Sequence, residues 1–162
     1  MPKLLIIDDI LAPEESIVIN YKGDNPIQVV HKISGWLKSV FMVETKDVYE
    51  RQFKISKLGD VRDFFNLWHV EKSKDKWSKI FCKVVIDGKQ SWSTKKGSVR
   101  IEITAWLQTS YNYSNFIQRS FWLLYNRIFY YKMRRKYIQE GRTLVEALKD
   151  EIYKALKIPK LE

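Results

Sequence analysis

The stretch SVRIEITAWLQTSY, residues 98–111, is the clearest element in the chain. Apolar and polar residues alternate along it, which is the period of a strand with one face in a core. Val99, Ile101, Ile103, Ala105 and Leu107 form the inward set, and Arg100, Glu102, Thr104, Trp106 and Gln108 the outward set. The period then changes. Ser114 or Asn115 suits a helix cap, with Gln118 three residues beyond Asn115. Ile117, Phe121, Leu124, Ile128 and Tyr131 follow at helical spacing, a stripe expected to face the sheet. Gly141 is expected to bend or interrupt this helix. Val145, Leu148, Ile152 and Leu156 make a second stripe before Pro159 stops it.

Upstream of the strand the pattern is also β. In WSKIFCKVVI (77–86), Ile80, Cys82, Val84 and Ile86 share a face, with Lys79 and Lys83 opposite. Asp87-Gly88 is a hairpin signal, KQSW (89–92) reads as a short strand, and Lys96-Gly97 as another turn. DVYERQFKIS (47–56) places Tyr49, Arg51, Phe53 and Ile55 on one side, while DFFNLWHVEK (63–72) is aromatic on both. SIVINYKG (16–23) alternates with Ile17, Ile19 and Tyr21 together. A helix follows: Asn25 caps, Pro26 takes the first position, Gln28 reaches back, and Val30, Ile33, Leu37, Val40 and Phe41 line it. Gly35 costs such a helix about 1 kcal/mol relative to Ala, which predicts close packing there. Leu4 to Ile7 is a short strand or part of an arm.

This order predicts an α+β fold, a curved antiparallel sheet covered by an N-terminal helix and a long C-terminal helix. A ferredoxin-like βαββαβ alternative leaves too many strands unused. Without repeats or linkers, residues 1–162 read as a single domain, with 1–15 a possible N-terminal arm and 142–162 a possible docking helix. From strand to terminal helix, over roughly residues 16–140, the element order resembles the START-like helix-grip superfamily. The resemblance implies a ligand cavity between the sheet and the C-terminal helix.

The 29 Lys and Arg against 19 Asp and Glu leave a formal charge of +10, which favours polyanions or anionic surfaces as partners. Cys82 is alone, so no disulfide framework is expected, and a reducing, cytoplasmic setting fits. The opening residues do not read as a signal peptide, and no apolar run reaches membrane-spanning length. No Walker loop, nucleophile elbow or dinucleotide fingerprint is present. His31 and His69 lack paired acidic neighbours, and Asp8-Asp9 and Glu14-Glu15 read as solvated. The chain therefore reads as non-enzymatic, with no cofactor and no metal.

Nine basic residues against two acidic ones fall between 72 and 100. Lys79, Lys83, Lys95, Lys96 and Arg100 on this meander, with Arg127, Arg134, Arg135 and Lys136 on the helix, are the residues expected to meet phosphates. Trp92 and Trp106 beside them suit base stacking. RNA or a ribonucleoprotein surface is the leading partner. An apolar or lipid ligand is the alternative, with Arg51, Tyr49 and Phe53 lining its cavity, followed by a structural subunit docking through 142–158. FYYKMRRKYI (129–138) is expected to be two-sided, rings on the sheet and bases outward. An anionic membrane ranks lower as its target, because a sheet is available to bury the apolar stripe.

Overall fold

The computed structural model describes residues 2–158. The fold is α+β: a curved six-stranded antiparallel sheet, one helix near the N-terminus and a long helical C-terminal segment. The strands are β1 (Lys3–Asp9), β2 (Ile17–Asp24), β3 (Val48–Leu58), β4 (Val61–Ser73), β5 (Ser78–Ser91) and β6 (Lys96–Asn112). Helix α1 (Gln28–Phe41) follows β2. Helix α2 (Phe116–Tyr125), a turn of π-helix (Asn126–Tyr130) and helix α3 (Tyr131–Leu156) end the described chain.

β6 organises the sheet. Its 17 residues outrun any partner on one edge, so two strands share that edge. β1 pairs with the half ending at Asn112, and β2 with the half beginning at Lys96. β5, β4 and β3 follow in order on the other edge. The alternation expected for 98–111 holds: Val99, Ile101, Ile103, Ala105 and Leu107 are all buried. So does that of β5, where Ile80, Cys82, Val84 and Ile86 face inward. Burial pushes the Cys82 thiol up to about 12, so it stays a neutral core group.

Several local expectations are corrected. β5 runs unbroken through Asp87-Gly88, and the turn lies at Trp92–Lys95. Gly88 is there for close packing, since a Cβ would meet Phe64 Cζ at 2.7 Å. α1 starts later than expected, with Ile27 in the cap position and no side-chain cap bond. Asn25 instead adopts φ 50° before it. The register of β3 shifts between Glu50 and Gln52. Arg51 occupies this bulge, and one extra residue reverses the faces beyond it. Tyr49 pairs with His69 on the outer face, while Phe53 pairs with Asn66 on the inner one. The three residues expected to line a common cavity are therefore divided.

The core lies between the sheet and the helices. Val29, Ile33, Leu37 and Phe41 of α1 are each 0 % exposed and pack with α3 and the β3–β4 end of the sheet. α3 buries Leu144, Val145, Leu148, Ile152 and Leu156. The second stripe is thus core, and the docking expected of 142–158 would have to use another face. Pro159 lies outside the described residues. Helix α3 passes through Gly141 without interruption. A Cβ there would meet Ile10 Cδ1 at 2.7 Å, so the glycine admits the β1–β2 connection rather than breaking the helix.

Gly35, by contrast, has no atom within 4 Å of the point where a Cβ would lie, so no close approach explains it. Gly35→Ala is expected to raise stability by about 0.5–1 kcal/mol through helix propensity alone. Urea unfolding showing a loss instead would mean that the position is constrained.

Candidate functional site

The basic residues singled out in the sequence do not form one free patch. Lys79 Nζ lies 2.5 Å from Glu71, Arg100 Nη1 3.0 Å from Glu102, and Arg134 holds both oxygens of Asp8, at 2.6 and 3.0 Å. Asp8, expected to be solvated, is therefore an ion-pair partner binding β1 to α3. Lys83 lies on the outer face opposite His69. Burial, with Arg51 and Lys83 nearby, holds His69 below its ordinary value and keeps it neutral near pH 7. Lys96 opens β6 and is exposed. Trp106 is half-buried and stacks on Phe81, centroids 5.6 Å apart. Trp92 is exposed, but Lys95 and Arg62 lie over its ring at 3.5 and 3.6 Å. A stacking base would have to displace one of them.

The C-terminal helical segment departs further from expectation. Ile117, Phe121, Leu124, Ile128 and Tyr131, expected to face the sheet, are all exposed, from 50 to 80 %. Phe116, Leu123, Phe129 and Met133 are exposed with them. No residue of α2 is buried. The side toward the sheet is instead Trp122, Tyr125, Asn126 and Tyr130. Trp122 stacks on Tyr111 at 4.6 Å and donates to the Asn112 carbonyl at 3.0 Å. Tyr125 and Tyr130 pack edge-on against Trp77. The expected cap is present, with the Asn115 side chain accepting from the Gln118 N–H at 2.8 Å.

The π turn accounts for how this segment joins α3. A π turn inserts an extra residue into the helical ladder and rotates the next turns relative to an uninterrupted α-helix. It brings Asn126 and Tyr130 inward, in phase with Tyr137, Gly141 and Val145 further along. One carboxylate pins it. Asp75, in the β4–β5 turn, accepts from Tyr130 Oη at 2.6 Å, Tyr137 Oη at 3.0 Å, and the N–H groups of Trp77 and Ser78 at 2.8 Å. Ser78 and Thr109 hydroxyls extend the network. Burial and Asp75 together push the Tyr137 phenol up to about 12, and Tyr130 higher still.

Charge completes the surface. From Asn112 to Gln139 there is no acidic residue, while Arg119, Arg127, Lys132, Arg134, Arg135 and Lys136 are all basic. Of these only Arg134 is paired with a carboxylate among the described residues. Arg127 and Lys136 are exposed, and Arg135 lies over the Tyr131 ring at 5.6 Å. FYYKMRRKYI is two-sided, as expected, but its inward side is Tyr130, Arg134 and Tyr137. Phe129 and Tyr131 point outward beside the bases. Sequence periodicity located the apolar stripe but could not say which side of the helix meets the sheet. Among the described residues, no helix is long and apolar enough to cross a membrane.

No family model matches the chain, and no curated protein matches it. Among solved structures it is similar to a protein of unknown function from Staphylococcus aureus, with 11 % identity and a TM-score of 0.31. That match covers 88 % of this chain and 96 % of the other. It is also similar to Ara h 8.0201, with 7 % identity, a TM-score of 0.23, and 86 and 97 % of the two chains covered. A third similarity, to an uncharacterised protein from Rhizobium leguminosarum, has 7 % identity, a TM-score of 0.25, and 95 and 99 % coverage.

Proposed function

We propose that this chain is a peripheral module that binds anionic lipid bilayers through residues 116–136. The carrying observation is the exposed run of Phe116, Ile117, Phe121, Leu124, Ile128 and Phe129, set among cations with no carboxylate in the segment. Aromatic and aliphatic side chains on one side of a basic helix suit the boundary between headgroups and acyl chains. Each Lys or Arg near an anionic surface adds about 1 kcal/mol of attraction. The sheet is not available to cover these residues, because Trp122, Tyr125 and Tyr130 already pack on its Tyr111 and on Trp77 of the β4–β5 turn. The element order also supports a helix-grip, START-like reading of the architecture.

RNA binding through the phosphate backbone is the competing reading. Lys83, Lys95 and Lys96 support it. Lys79, Arg100 and Arg134 are already engaged by carboxylates, and backbone electrostatics leave the apolar stripe unexplained. Flotation with vesicles of phosphatidylcholine, with and without phosphatidylserine, tests the proposal. Binding is expected only with phosphatidylserine. Phe121→Asp combined with Ile128→Asp is expected to weaken it about 100-fold, from roughly 3 kcal/mol of lost apolar insertion. Both side chains are exposed, so circular dichroism should be unchanged. Salt-dependent binding to single-stranded RNA without vesicle binding would overturn the proposal in favour of the polyanion reading.

A further inference from the structure

A second site lies away from the helix surface, where the start of α1 meets the β5–β6 turn. A cleft of about 430 Å³ opens there, within the range of small-ligand pockets. Its walls include Ile27, Ile55 and the Trp92 indole; its polar groups include Arg62, Lys95 and His31. No acidic residue lines it.

Two features mark it as more than a surface dent. First, Arg62 and Lys95 are held over one indole, at 3.6 and 3.5 Å from its centroid. Arg62 forms no ion pair with a carboxylate among the described residues, and Lys95 lies in the field of Asp60, whose own hydrogen bonds come from Ser91 and Ser93. Cation–π attraction to the ring offsets part of the cost of holding two cations so close, and a bound anion would offset more of it. Second, the rim is built. Gln90, 5 % exposed, accepts from the Ile27 N–H at 3.0 Å and donates to Asn25 Oδ1 at 3.4 Å. The Asn25 N–H donates to the Lys95 carbonyl at 2.6 Å. Asn25 and Lys95 both hold left-handed backbone, φ 50° and 61°, which is unfavourable for a non-glycine residue. The fold sustains that cost at two bonded residues lining the same cleft.

We infer that this cleft binds a small organic anion, a carboxylate or phosphate carried on a flat apolar body. The anionic group sits where Arg62 and Lys95 both line the cleft, at the edge of the Trp92 ring that they flank, with His31 as a further donor. The apolar body rests on Ile27 and Ile55. Because the walls and the charges are different parts of the cleft, both halves of the ligand are required.

Titration calorimetry with naphthalene-2-carboxylate, with its neutral amide, and with inorganic phosphate separates the two halves. The carboxylate is expected to bind with a submillimolar Kd, and the amide and inorganic phosphate at least 10-fold more weakly. Arg62→Gln and Lys95→Gln are each expected to lose about 10-fold for the carboxylate. Both are surface changes, and the Trp92 indole N–H resonance of the wild type should shift on binding. Absence of binding up to 10-fold above that range overturns the inference. Equal affinity for carboxylate and amide removes the anion site, and equal affinity for phosphate removes the apolar one. None of these outcomes bears on vesicle binding, which uses other residues.

Discussion

Gly97→Ala is expected to destabilise the protein by about 3–5 kcal/mol, enough to leave much of the chain unfolded at physiological temperature. Gly97 lies in β6 between two neighbours, opposite Gln90 of β5 on one side and Gly23 of β2 on the other. A Cβ there would run into the Lys89 carbonyl oxygen and meet Gln90 Cα at 2.7 Å. These are backbone atoms of a paired strand and cannot swing aside as a side chain would. β5 and β6 would have to part at this point, and Gln90 would lose the geometry that holds the start of α1. Urea unfolding measures the effect. A loss below about 1 kcal/mol, the size of an ordinary substitution, would show that the two strands can separate here at little cost.

Asp75→Asn is expected to cost about 2–4 kcal/mol and to loosen the segment from α2 into α3. Asp75 accepts from four donors, and an amide cannot accept from all of them with its single oxygen. Hydrogen bonds to a charged acceptor contribute about 1.5–3 kcal/mol each, and at least two are weakened. Tyr130 keeps the Ser78 hydroxyl as a partner, which limits the loss. Hydrogen exchange should quicken in residues 116–131, while the β5–β6 core stays protected.

The same residue sets an acid limb. Burial acts to raise the Asp75 carboxyl, but the hydrogen bonds from Tyr130, Trp77, Ser78 and Tyr137 outweigh it and hold the group below its ordinary value. The native state then binds this proton more weakly than the unfolded chain does. Its contribution is complete above the ordinary Asp value of about 3.9 and is lost as pH falls through the lowered native one. Below about pH 4, near that ordinary value, stability should fall more steeply in the wild type than in Asp75→Asn. Parallel acid limbs for the two proteins would remove the carboxylate from this role.

The binding surface and the core exchange places relative to simple periodicity. Both helical stripes are visible in the residues, yet Val145, Leu148, Ile152 and Leu156 lie in the core while Ile117, Phe121, Leu124 and Ile128 stay out. Apolar spacing is equally good evidence for a face on a sheet and a face on a bilayer. Only the second, aromatic side of α2, carrying Trp122 and Tyr125, had Trp77 and Tyr111 waiting for it.

By itself the sequence determined the α+β class, the inner strand faces of β5 up to Ile86 and of β6, and a helix cap at Ser114 or Asn115, of which the fold uses Asn115. Each depends on period-two alternation or on a bond reaching three residues, and so is decided locally. The tertiary structure decided the rest. The bulge at Arg51 parted Tyr49 from Phe53, the β1–β2 connection made Gly141 a packing contact, and Asp75 with the π turn selected the buried side of the C-terminal helix. A single inserted residue rotates every face beyond it, and whether that rotation is stabilised depends on partners tens of residues away in the chain.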